Sequence, residues 1–135
     1  MFMTETQIRV RYAETDQMGV VYHSNYFPYF ESARAEAIRH FGYTYADMEK
    51  MGVIMPVIDV HCRYLRPAVY DDLLTIKTML KELPVHHKIE FHHEVFNEKK
   101  ELLGCWEDHF ILYGSQDHET DDDAGPITKK TAILF

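Results

Sequence analysis

Ser24-Asn25-Tyr26-Phe27-Pro28-Tyr29-Phe30-Glu31-Ser32-Ala33-Arg34-Ala35-Glu36-Ala37-Ile38-Arg39-His40-Phe41-Gly42 is the stretch on which the fold turns. Within it Tyr26, Phe30, Ala33, Ala37 and Phe41 recur at steps of four, three, four and four, which lines one face of a helix. Ser24 is the expected N-cap, Pro28 falls in the first turn where a missing amide hydrogen is tolerated, and Gly42 is the expected stop. The helix is expected to run about four to five turns. Ala33 and Ala37 on its apolar face would let it lie close against a sheet.

On either side the period changes to two. Ile8, Val10 and Tyr12 alternate with Gln7, Arg9 and Arg11, so a first strand precedes the helix. A polar stretch, Ala13 to Gly19, must turn between them. After the helix, Asp47 to Met51 reads as one short turn. Strands are then expected over Val53 to Leu65, Asp72 to Leu83, Val85 to Phe96 and Glu101 to Tyr113. Arg66-Pro67-Ala68, Pro84 and Asn97-Glu98-Lys99-Lys100 separate them. Short links imply an antiparallel meander, and the whole is an α+β chain whose sheet wraps around one long helix.

With 135 residues the chain is expected to form one domain, residues 1–113, followed by an acidic tail over 114–135 that carries Asp121-Asp122-Asp123 and ends on the apolar Ala132-Ile133-Leu134-Phe135. Hydrophobic residues make up 46% and charged ones 27%, the composition of a folded soluble protein. The formal charge of −8 repels a phosphate backbone, so nucleic acid is excluded as a partner, while a small polyanion would need a local basic patch. Cys62 and Cys105 stand in no CxxC motif and are expected to be free core thiols. No basic-then-apolar run opens the sequence and no stretch approaches ~18 apolar residues, so a cytoplasmic protein without a membrane span is expected.

The densest run of functional groups is Tyr12 to Tyr26, where the turn meets the helix. A helix start presents unpaired N–H groups and partial positive charge, which can polarise a carbonyl or hold an oxyanion. A carboxylate on the preceding turn can attack that carbonyl or activate a water beside it. An aspartate before a helix also serves often as a turn or cap residue. Glu14 is about 7 Å from Asp16 in extended chain, near the limit for a shared proton, and a solvated or salt-bridged Glu14 is expected. Glu31 and Arg34, three apart, are expected to form a buried structural pair on the helix, with Glu31 orienting a water as the second reading. His86, His87, His92 and His93 invite a metal reading, but residues six apart on a strand are about 20 Å apart and adjacent ones point to opposite faces. These histidines are expected at solvent or an interface, and no metal is assigned.

Tyr12-x-x-Thr15-Asp16-x-x-Gly19-x-Val21-Tyr22-His23-x-x-Tyr26-x-x-Phe30-Glu31-x-x-Arg34 resembles the signature of the 4-hydroxybenzoyl-CoA thioesterase family, close to its Tol-Pal-associated branch of short acyl-CoA thioesterases. Tyr64-x-Arg66-Pro67-Ala68-x-x-x-Asp71-Asp72-x-Leu74 resembles a second stretch of that family, and the likeness spans about residues 5–113. The resemblance implies a hotdog fold with a five-stranded antiparallel sheet around the helix. It implies a thioester hydrolase acting on a small, fatty or aromatic acyl-CoA, with Asp16 as nucleophile or as general base, and no metal or redox cofactor. His23 matches a histidine that accompanies the aspartate, its backbone amide holding the carbonyl, although a packing role at a subunit boundary is the alternative. Gly19, Val21, Tyr22 and Tyr26 are the implied substrate-binding residues. Arg63 and Arg66, beside the Pro67 turn, are the nearest cations to a pocket rim and are assigned to the coenzyme A phosphates. A homo-oligomer, dimer or tetramer, is the implied assembly. A non-catalytic acyl-CoA or acyl-carrier-protein binder on the same fold is the rival, and a dehydratase ranks third.

Overall fold

The computed structural model describes residues 2–40, 42, 44–80 and 87–114. β1 (Phe2–Arg9) leads through a polar turn to α1 (Tyr26–His40) and α2 (Tyr45–Lys50). β2 (Val53–Ile54), β3 (Val57–Tyr64), β4 (Leu73–Leu80), β5 (Lys88–Phe96), β6 (Leu102–Ile111) and β7 (Tyr113–Gly114) follow.

α1 forms as the apolar spacing requires: Tyr26, Tyr29, Phe30, Ala33, Ala37 and Ile38 are its buried residues. Phe41 and the 115–135 tail lie outside the described residues. Gly42 ends the helix as expected, at φ +91° with its amide donating to the Arg39 carbonyl at 2.8 Å. The start differs. A single 3-10 turn, His23–Asn25, precedes α1, so Ser24 lies inside that turn and caps nothing. The Asn25 side chain fixes the entry instead, its Nδ2 donating to the Glu14 carbonyl at 2.8 Å.

The strands hold with four adjustments: Tyr12 falls in a 3-10 turn (Tyr12–Glu14) beyond the end of β1, Leu112 separates β7 from β6, and two more follow. Pro56 has no amide hydrogen for a ladder and divides the expected Val53 to Leu65 strand into β2 and β3. His87, at φ +68°, sits in a turn, so β5 begins only at Lys88. The five-stranded sheet runs in the order β1-β4-β5-β6-β3, and every pairing is antiparallel. The expected meander therefore covers β4, β5 and β6 alone. β3 does not pair with its successor β4 but crosses to the far edge beside β6, because the Arg66-Pro67-Ala68-Val69 link is held elsewhere. Ala68 accepts the Val21 amide at 2.8 Å and Val69 bridges Val20, which pulls the link under the turn before α1.

The inner sheet face and α1 enclose the core. Trp106, Phe30, Tyr26 and Val95 fill its centre, while Phe91, Phe110, Ile38 and Met48 fill the end nearer α2. Cys62 and Cys105 are free, but Cys62 is exposed and Cys105 half-buried, so neither is a core thiol.

Candidate active site

The turn before α1 is built by its own side chains. Asp16 Oδ1 accepts the Met18 amide at 2.9 Å and the Val20 amide at 3.4 Å, and the Asp16 carbonyl accepts the Gly19 amide at 3.0 Å. Gly19 sits at φ +79°, a conformation that side chains resist, and lets this turn close. Glu14 is occupied in structure, as its distance from Asp16 suggested. Its carboxylate accepts the Arg11 amide at 2.7 Å and the Tyr29 hydroxyl at 2.9 Å, and pairs with the Arg11 guanidinium at 3.4 Å.

Asp16, Val21, His23, Tyr26, Tyr64 and Arg66 line one cavity of about 320 Å³, together with Met18, Val20, Leu65 and Pro67. The turn thus delivers its carboxylate to the same space as the helix start. There the Asn25 amide donates to the Tyr22 carbonyl at 2.9 Å. The amides before it, of His23 and Ser24, belong to the first residues of the turn, which regular helical bonding leaves unpaired. The Tyr22 ring lies 4.4 Å from the His23 ring at a 40° tilt and is exposed. Gly19 shapes the turn without lining the cavity.

Tyr64 belongs to the second motif but was not assigned to the site. Its hydroxyl donates to the His23 carbonyl at 3.1 Å, tying β3 to the helix start. Burial, with Cys62 beside it, pushes this phenol up to about 12, so it is a proton donor at neutral pH. Burial likewise raises the Tyr26 phenol.

The two arginines part company. Arg66 is at the cavity rim, 62% exposed and paired with Glu101 at 2.6 Å. Arg63 alternates to the outer sheet face and lies along a different groove with His61, His92 and Glu107.

Glu31 and Arg34 do not pair. Arg34 Nη1 donates to Asp108 Oδ2 at 2.7 Å, and Glu31 is exposed. Asp108 also meets His93 Nε2 at 2.8 Å, while His93 Nδ1 meets Thr78 Oγ1 at 3.0 Å. Burial holds the His93 imidazole below its usual value against the pull of Asp108. For Asp108 burial pushes up, but His93 and Arg34 together outweigh it and the carboxyl sits below its usual value. The arrangement is a neutral imidazole between a hydroxyl and a carboxylate that a guanidinium neutralises. His93 is therefore fully buried, contrary to the expectation of solvent or interface; His86 lies outside the described residues.

The family model described as the thioesterase superfamily matches residues 18–103. The chain belongs to the thioesterase superfamily. Among relatives of this thioesterase, YneP of Bacillus subtilis, which bears the name of an acyl-CoA thioesterase, is 38% identical over 102 residues, 76% of this chain and 73% of that one. YbgC of Escherichia coli, named an acyl-CoA thioester hydrolase, is 36% identical over 76 residues, 56% of this chain and 57% of that one. A DHNA-CoA thioesterase from Staphylococcus aureus superposes with a TM-score of 0.81 at 38% identity, covering 94% of this chain and 80% of that one. A 4-hydroxybenzoyl-CoA thioesterase superposes with a TM-score of 0.80 at 18% identity over 98% of this chain and 97% of that one, which shows the shared hotdog fold alone.

Proposed function

We propose that this thioesterase hydrolyses acyl-CoA thioesters at the cavity between the Asp16 turn and the start of α1. Family membership carries the reaction class: the chain is a thioester hydrolase. One observation carries the site: Asp16, the helix-start residue His23 and the cation Arg66 line the same cavity. The thioester carbonyl would rest against the amides of His23 and Ser24, where helix-start charge favours a developing oxyanion. Asp16 then adds to the carbonyl carbon, or takes a proton from a water that adds. The C–S bond breaks and coenzyme A leaves as thiolate, which is protonated by solvent or by the proton Asp16 took from water. Where Asp16 itself has added, water then cleaves the resulting mixed anhydride to the free acid and restores the carboxylate. Oδ1 is held by its turn, so Oδ2, which no described group hydrogen-bonds, is the oxygen that reacts.

Arg66 would meet a coenzyme A phosphate, whereas Arg63 of the same chain is on the wrong face to help. No helix among the described residues is long and apolar enough to cross a membrane, and the proposal places the enzyme in the cytoplasm. The assembly we favour is a homo-oligomer, dimer or tetramer, joined along β3. That strand is an edge of the sheet and exposes Val57 at 55% and Ile58 at 46%.

The test is chromatographic detection of coenzyme A released from short, long and aromatic acyl-CoAs by the wild-type chain and Asp16→Asn. Turnover that collapses in a folded Asp16→Asn supports the site. Turnover retained in that variant removes Asp16 from the chemistry. Binding without hydrolysis by the wild type would favour the non-catalytic reading.

A further inference from the structure

On the sheet face turned away from α1, three strands set histidines and carboxylates in a checkerboard. Register pairs Asp59 on β3 with His109 on β6, and His109 with Glu90 on β5. Two residues along, His61 pairs with Glu107, and Glu107 with His92. Every imidazole thus has a carboxylate for its cross-strand neighbour. The same strands lie near one another only in the folded sheet, so this grouping is invisible to spacing along any one strand.

His109 is its centre. Its Nδ1 stands 3.1 Å from Glu90 Oε1, within ion-pair reach, which leaves Nε2 as the ring nitrogen turned toward the other carboxylates. That Nε2 is buried and makes no hydrogen bond. It faces Asp59 Oδ1 at 3.7 Å and Glu107 Oε2 at 3.6 Å, both too long for hydrogen bonds. His61 Nε2 is 3.5 Å from the same Asp59 oxygen. The ligand atoms of Asp59, His61 and His109 all lie within 4.8 Å of one another.

These separations suit a cation better than a proton. Ligand atoms bound to zinc at roughly 2.0–2.1 Å stand about 3.4 Å apart at the corners of a tetrahedron. A hydrogen-bonded lattice would close the gaps to about 2.9 Å and would use both nitrogens of His109. Two imidazoles with a carboxylate select a zinc-class divalent ion over magnesium or calcium, which prefer oxygen alone. The carboxylate behind His109 Nδ1 is the outer partner that metal-bound histidines commonly carry.

We propose that Asp59, His61 and His109 bind a zinc-class divalent cation, with Glu107 or water as fourth ligand and Glu90 orienting His109. The ion would fasten edge strand β3 to β6 on the face opposite the Asp16 cavity. It has no part in the hydrolysis, and its effect is to stiffen the strand that carries Tyr64.

The test uses the untagged full chain after chelator treatment, because the sequence has nine histidines and a tag would add more. Zn²⁺ and, separately, Mg²⁺ are titrated by calorimetry, Co²⁺ is followed by its visible absorption, and melting is compared with and without Zn²⁺. The expected result is one saturable equivalent of Zn²⁺, no Mg²⁺ binding and a higher melting temperature with Zn²⁺. Affinity should fall at least ~100-fold in His109→Ala and in Asp59→Ala, and about 10–100-fold in Glu90→Gln. Circular dichroism of each variant establishes that it has folded, and His61→Gln replaces any that has not. Absence of saturable Zn²⁺ binding by the wild type overturns the proposal, and so does stoichiometric binding that survives the loss of His109 in a folded variant.

Discussion

One oxygen of Asp16 closes its own turn, accepting the Met18 amide at 2.9 Å, and the other is the one to which the proposed chemistry is assigned. Two substitutions separate these jobs. Asp16→Asn keeps an acceptor for the turn and removes the charge, so turnover should fall at least ~10²-fold with little change in melting temperature. Asp16→Ala should lose the same activity and also about 0.5–1.5 kcal/mol of stability, measured by urea denaturation. Arg66→Ala should raise KM several-fold at nearly constant kcat, since a rim cation binds a remote phosphate equally in ground and transition states. Arg63→Ala should leave both unchanged in the monomer's own site. The sequence motif was enough to single out Asp16 and His23, which line one cavity, because it links unlike chemistries at set spacings. It was not enough to sort Arg63 from Arg66, since one lies on a strand whose side chains alternate between faces and the other lies past that strand's end.

Between elements, the buried Thr78, His93, Asp108 and Arg34 side chains join β4, β5, β6 and α1. Their protonation gives the fold an acid-sensitive term with a definite sign. Below pH 6.5 an unfolded chain protonates His93, while the folded chain resists until further into acid. The unfolded state then binds more protons, so stability should fall as pH drops through 6.5 and level off once the folded imidazole is also charged. Asp108 repeats the sign at lower pH, its stabilising charge being lost as pH falls from 3.8 through its depressed folded value. Urea midpoints across this range should show the first loss in the wild type and a flatter profile in a folded His93→Gln. Helical spacing displays which residues share a face, and so made Glu31 and Arg34 look like a pair. It does not display what the sheet offers from below, and Asp108 wins Arg34 because a buried carboxylate requires a cation. A second element-level test concerns Gly104, opposite Tyr64 on β3. A Cβ built there would stand 2.6 Å from the Arg63 carbonyl oxygen. Gly104→Ala should therefore push β3 outward, costing about 1–3 kcal/mol by denaturation and lowering kcat through displaced Tyr64.

At the level of the whole molecule, α+β class, helix length and the five strands of the main sheet were legible, because period and turn chemistry are local properties. Strand order was not. Nothing in the residues of β3 states that its neighbour will be β6, and only the pull of the Val21 and Val20 bonds on Ala68 and Val69 sends it there. Its exposed edge leads to an assembly prediction. Light scattering should return a multiple of the 16.0 kDa chain mass, and Ile58→Lys should lower that multiple if β3 is the junction.

The strand order also has a bearing on birth of the protein at the ribosome. β1 can pair only when β4 has emerged, and β3 must wait for β6, almost the last described strand to leave the exit tunnel. Until then α1 has only part of a surface to lie on, and the apolar Val57 and Ile58 travel uncovered. A nascent chain of this topology gains little by folding early. Its sheet should close late and in one step, and the interval before closure is when a chaperone has most to hold.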